Sequence, residues 1–151
     1  MLEYIRDYFS VKNGEFDKSE RDLIAVTLKK IVTKPRKAIA LLEHLQDQQK
    51  LQRYSENIKT YNERLKEELK VKLVEIVQML QSSALPNAKN VESKAFFLNL
   101  IGDFCRYQVE MITAEDFRQS DNTVPSIQKK AKRDRDMLLQ RASDFYFDGF
   151  K

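Results

Sequence analysis

The chain has 151 residues, a third of them charged, with three glycines, three prolines and a net charge of +4 at pH 7. That length suits one domain with a modest core. The composition excludes a strand-and-turn protein and suits long helices with one face in solvent. No apolar run approaches the roughly 20 residues of a membrane span. The start, MLEYIRDYFS, is too acidic and aromatic for a secretory signal. One cysteine and one histidine exclude an internal disulfide and a Cys/His zinc set. Cys105 fits a reducing compartment, so the expectation is a soluble, cytoplasmic chain with no metal or other cofactor.

Five helical segments are predicted. The first, about 2–12, places Leu2, Ile5 and Phe9 on one face and stops at Asn13-Gly14. The second opens at Asp17, with Glu20 three residues on as in a capping box. Its apolar positions Ile24, Thr27, Leu28 and Ile31 recur at helical spacing. Pro35 removes a backbone donor and crowds the carbonyl four residues back, which predicts a kink or break near Lys34. Helical spacing resumes at Ile39, Leu42 and Leu45 and fades in QDQQKLQ, with His44 read as a surface residue.

A third segment, about 55–81, carries a narrow seam: Ile58, Tyr61, Leu65, Leu69, Leu73, Ile76 and Leu80. Steps of three and four direct it against neighbouring helices or a second copy. SSALPNAKN reads as a loop, and Asn90 as the cap of a fourth helix over about 91–111 packed through Phe97, Leu98, Ile101, Phe104 and Cys105. ITAEDFRQSDNTVPS reads as polar and mostly loop. The last helix starts near 126 and carries KKAKRDRD, then Phe145, Tyr146, Phe147 and Phe150. The interleaved Asp134 and Asp136, and the lack of a stacking aromatic, make KKAKRDRD a solvated face rather than a nucleic-acid patch. The aromatic C-terminal end has no helix stop, so the expectation is one helical domain over 1–151 that is part of a longer protein. The predicted fold class is all-α, an antiparallel stack of long helices.

Asp103 and Glu110 flank Arg106 at minus three and plus four, where a carboxylate can hold a guanidinium in one rotamer. Lys29 and Arg36 are seven apart, so two turns return them to one face. No nucleophile–base pair, metal set or phosphate-cradling glycine loop is visible, so no enzyme is expected.

Three blocks resemble successive helices of the 14-3-3 proteins, all-helical adaptors that bind phosphoserine and phosphothreonine. FDKSERDLIAVTLKKIVTKPRKA is similar to the third helix of that family. YNERLKEELKVKLVEIVQML, then LPNAKNVESKAFFLNLIGDFCRYQVEM, are similar to the two that follow. The resemblance covers about half the chain and is most specific in the "PNA…ESK" loop and the GDFCRY run.

It implies a phosphate site made of Lys29, Arg36, Arg106 and Tyr107, supported by Asp103 and Glu110. It also implies a dimer interface, homo- or heterodimeric, using Tyr61 and Glu68. Implied partners are phosphorylated client proteins, with neither nucleic acid nor membrane. Two basic groove positions of the family fall on Ala40 and Asn99, and Pro35 lies between the two key bases of the second helix. Those departures leave an alternative, a structural helical dimer or scaffold of the same fold without phosphopeptide binding. The segment MLEYIRDYFSVKNG resembles the family's second helix, which leads to the expectation that the first and the final helices lie outside this chain.

Overall fold

A computed structural model describes residues 1–119 and 125–149, with the side chains of 113–132, 134, 135 and 149 not described. The architecture is all-α. The elements are α1 (Leu2–Val11), α2 (Lys18–Gln46), a 3-10 turn (Gln49–Tyr54), α3 (Ser55–Met79), a π turn (Leu80–Ala84), the single turn α4 (Leu85–Asn87), α5 (Val91–Gln119) and α6 (Pro125–Gly149). None of the described helices is long and apolar enough to cross a membrane.

Local sequence sets the helix starts. Asp17 accepts the Glu20 backbone N–H at 2.8 Å, and the Glu20 carboxylate takes the Asp17 N–H at 2.8 Å. This reciprocal box satisfies two donors that the first turn of α2 leaves orphaned. Asn90 does the same for α5, accepting from the Ser93 N–H at 2.7 Å. Between α1 and α2 the chain turns at Gly14, whose φ of +118° lies where side chains are disfavoured.

The core follows the apolar periodicities. Ile5 and Phe9 from α1, Ile24, Leu28, Val32 and Ile39 from α2, and Leu69, Leu73 and Ile76 from α3 are all buried. They meet Phe97, Ile101, Phe104 and Cys105 of α5. Phe16, in the turn before α2, is fully buried and packs edge-on against Phe9 and Phe97, with ring centroids 5.8 and 5.2 Å away. Burial raises the Cys105 thiol above its usual range, as suits a small core hydrophobe. His44 is exposed, beside Gln48.

Three expectations are corrected. Of the kink or break expected near Lys34, the break does not occur: helix α2 runs through Pro35. Val32 and Ile39 are buried on either side of the proline, and that tertiary packing outweighs one lost backbone hydrogen bond. Residues 112–119, read as loop, continue α5, and α6 begins at Pro125; the rest of that predicted loop, 120–124, lies outside the described residues. A helix without an apolar stripe offers no periodicity to read. SSALPNAKN is mostly helical turn rather than loop, with proline in the first turn of α4, where its missing N–H costs little.

Helix α3 packs against both α2 and α5, and α5 packs along α6. Cross-links between α2 and α5 climb both helices together: Arg21 to Glu92 and Ser93, Lys29 to Asp103, Arg36 to Glu110. The two helices therefore run parallel, with α3 between them in sequence and in contact with both. Their direct contact is sparse, so polar side chains bridge the interval.

Candidate functional site

The middle of α2 and the middle of α5 face each other across that interval. Seven residues of α-helix advance about 10.5 Å and return to nearly the same azimuth. Because α2 stays helical through Pro35, Lys29 and Arg36 both reach α5. On α5, Asp103, Arg106, Tyr107 and Glu110 form one face by the same three- and four-residue logic.

Every cation here has a carboxylate partner on α5. The Lys29 Nζ lies 3.2 Å from Asp103 Oδ2, and Arg36 donates through a guanidinium nitrogen to Glu110 Oε2. Arg106 donates to Glu110 Oε1 at 3.2 Å and stands 3.8 Å from Asp103 Oδ1. Glu110 thus bonds two cations directly, while Asp103 pairs closely with Lys29 and only at longer range with Arg106. Tyr107 lies against both guanidiniums, its ring centroid 4.2 Å from the Arg36 Cζ and 5.0 Å from the Arg106 Cζ. Those contacts are within cation–π range. The ring also packs edge-on against the buried Phe104, which fixes it to the core.

Three cations against two carboxylates leave one positive charge in the cluster. All the charged side chains keep solvent access, between 27% and 51% of their surface. Such a site can accept a small anion: the guanidinium forks are pre-oriented and the anion meets cations already converged. Among the described residues no group of three or more His, Cys, Asp or Glu is placed to hold a metal ion.

All six residues named in sequence for the site and its support therefore come together. The side chain missed was Tyr146 of α6, whose hydroxyl donates to Asp103 Oδ1 at 2.8 Å. The same hydroxyl is the main reason the Arg106 guanidinium is held above its ordinary value, and burial followed by the Asp103 contact raises the phenol above 10.0. The only sequence signal was an aromatic in the Phe145–Phe147 run, which by itself reads as core.

The other predicted positions lie apart. Tyr61 is 54% exposed and lines a cleft of about 260 Å³ with Lys34, Pro35, Ala38, Leu65 and Glu68. Glu68 pairs with Arg64 at 3.4 Å. Ala40 is exposed on α2, and Asn99 is half-buried one turn before Asp103.

Comparison with known proteins gives a consistent picture. A family model described as 14-3-3 protein matches residues 1–144. Similar proteins include 14-3-3 protein theta of Homo sapiens, 30% identical over 124 residues covering 78% of this chain and 49% of that protein. The 14-3-3 protein homolog 2 of Schistosoma mansoni is 30% identical, covering 69% of this chain and 49% of its own length. The 14-3-3 protein 10 of Solanum lycopersicum is 27% identical, covering 82% and 50%. The chain spans about half the length of the curated relatives it matches.

Proposed function

Since the chain belongs to the 14-3-3 family, we propose that it is a non-enzymatic adaptor that captures phosphoserine or phosphothreonine in an extended client segment. The observation that carries this reading is the convergence of Lys29, Arg36 and Arg106 around Tyr107, each cation held by a carboxylate from α5. Arg36 and Arg106 fork onto phosphate oxygens, Lys29 adds a compact charge, and the Tyr107 hydroxyl donates a neutral hydrogen bond. Asp103 and Glu110 hold the cations in place before the client arrives. A phosphate brings about −1.5 to −2 charges at neutral pH, and the unmodified client offers none of them.

Fluorescence anisotropy of a phosphoserine peptide and its unmodified twin tests the reading, on the wild type and on Arg106→Glu. A charged hydrogen bond contributes about 1.5–3 kcal/mol. Reversal at Arg106 should therefore weaken phosphopeptide binding by at least about tenfold, while the unmodified peptide binds neither protein. Equal binding of both peptides would refute the adaptor.

The exposed Tyr61 and its cleft favour a second activity of the same fold, self-association through Tyr61 and Glu68. A scaffold using that surface alone would keep its partners after phosphatase treatment and ignore Arg106→Glu. Sedimentation of the wild type beside Tyr61→Lys reports on the interface directly.

A further inference from the structure

The Asp103 carboxylate divides its two oxygens unequally. Oδ2 faces Lys29 at 3.2 Å. Oδ1 takes the Tyr146 hydroxyl at 2.8 Å, while Arg106 stands off the same oxygen at 3.8 Å, beyond hydrogen-bonding distance. The tyrosine belongs to α6, which places none of the phosphate-site residues named so far. Its approach depends on Gly102: a Cβ there would lie 2.8 Å from the Tyr146 Cε1 and 3.0 Å from two more ring atoms. Any larger residue at that position would drive the ring out. Ala142 is buried and Phe145 packs on the core, so α6 is fixed on either side of the contact.

We propose that Tyr146 is a positioning residue of the phosphate site, its hydroxyl occupying Asp103 Oδ1 and so keeping the Arg106 guanidinium off that carboxylate and open to an incoming phosphate. The proposal rests on the adaptor reading above. A carboxylate three residues before an arginine on a helix is well placed to capture it, and an arginine closed onto two carboxylates has fewer donors left for a ligand. With the phenol in place, Arg106 keeps its bond to Glu110 at 3.2 Å, which sets its direction, and meets the neutral Tyr146 hydroxyl where the Asp103 oxygen would otherwise hold it. Helix α6 thus becomes part of ligand recognition: displacing it, or filling the space at Gly102, lets Arg106 close onto Asp103.

The test uses Tyr146→Phe, which keeps the ring and deletes the hydroxyl, in both the wild-type and the Asp103→Asn backgrounds. Anisotropy with the phosphoserine peptide should show a loss of about three- to tenfold in the wild-type background, the scale of one hydrogen bond. In the Asp103→Asn background the loss should vanish, because the uncharged amide no longer draws Arg106. Gly102→Ala should reproduce the loss, because the added Cβ displaces the Tyr146 ring. In the ligand-free protein, NMR of the Arg106 side chain should show slower guanidinium rotation in Tyr146→Phe than in wild type. An unchanged affinity, an equal loss in both backgrounds, or an unchanged rotation rate would each overturn the role assigned to Tyr146 and leave the adaptor reading standing. A folded wild type that ignores the phosphate would overturn the adaptor reading, and the Tyr146 role with it.

Discussion

Replacing Arg21 with methionine should loosen the molecule far more than replacing its most visible partner. Arg21 is a charged side chain with only 5% of its surface exposed, at the N-terminal end of α2. Its guanidinium donates to Ser93 Oγ at 2.6 Å, to Glu92 Oε1 at 2.6 Å and to the Phe16 carbonyl at 3.3 Å, and it lies 5.7 Å from the centroid of the Phe96 ring. These contacts tie the turn before α2 to the first turn of α5. The Glu92 side chain is 76% exposed and is rehydrated at once when the pair is broken, so that bond contributes at most about 1 kcal/mol. Ser93 is fully buried and loses a charged donor, worth about 1.5–3 kcal/mol. The Phe16 carbonyl keeps the Ser93 hydroxyl at 3.4 Å, so its loss is smaller.

The sum for Arg21→Met is about 2–4 kcal/mol, against about 1 or less for Glu92→Gln. At about 2–4 °C per kcal/mol for a chain of this size, Tm should fall by roughly 5–15 °C for Arg21→Met and by a few degrees for Glu92→Gln. Urea unfolding and thermal melts followed by circular dichroism give both numbers. Because Arg21 holds α2 beside α5 two turns below Lys29, phosphopeptide affinity measured well below Tm should drop as well. Equal effects of the two substitutions, or a loss under about 1 kcal/mol for Arg21→Met, would refute the argument that burial of the guanidinium, rather than its ion pair, holds the helices.

Two further outcomes rest on local features. Glu15 is held at about 2, first by the Ser93 hydroxyl and then by the backbone N–H groups of Asn90 and Lys89; Glu20 is held at about 2, first by Lys12 and then by Tyr8. Both carboxyls are depressed on folding, so their contribution is complete above the ordinary value of 4.5 and is lost as pH falls from there towards 2. Urea midpoints at pH 7, 4 and 3 should decline for the wild type and decline less for Glu15→Gln and Glu20→Gln; parallel declines would contradict the assignment. Pro35→Ala restores the hydrogen bond to the Ile31 carbonyl inside α2 and should raise stability by about 1–3 kcal/mol. A lower Tm would show that the proline ring's packing in the Tyr61 cleft outweighs the backbone term.

Much of the fold is legible because local and tertiary signals agree. Asp17 with Glu20, Asn90, and the Leu69–Leu73–Ile76 seam each behave as their spacing demands. The cluster was legible for a different reason: Arg106 sits between two carboxylates at helical spacing, and the α2 bases repeat after two turns. What escaped depends on contacts between distant segments. Whether Pro35 breaks α2 is decided by Val32 and Ile39 docking on other helices, which no local rule contains. Tyr146 reaches Asp103 only because Gly102 leaves room 44 residues earlier in the chain, a pairing with no trace in periodicity.

The internal pairing of the cluster has a kinetic side. Asp103 and Glu110 leave one net positive charge among three cations, so the site projects a weak field beyond the Debye length of about 8 Å at physiological ionic strength. Encounter with a phosphorylated segment would then gain little from electrostatic steering and proceed near the unsteered 10⁵–10⁶ M⁻¹s⁻¹, with mild dependence on salt. On the adaptor reading, the attraction would be released at contact, when the phosphate shares the guanidiniums with their carboxylates. Clients would accordingly differ in how long they stay bound more than in how fast they are found.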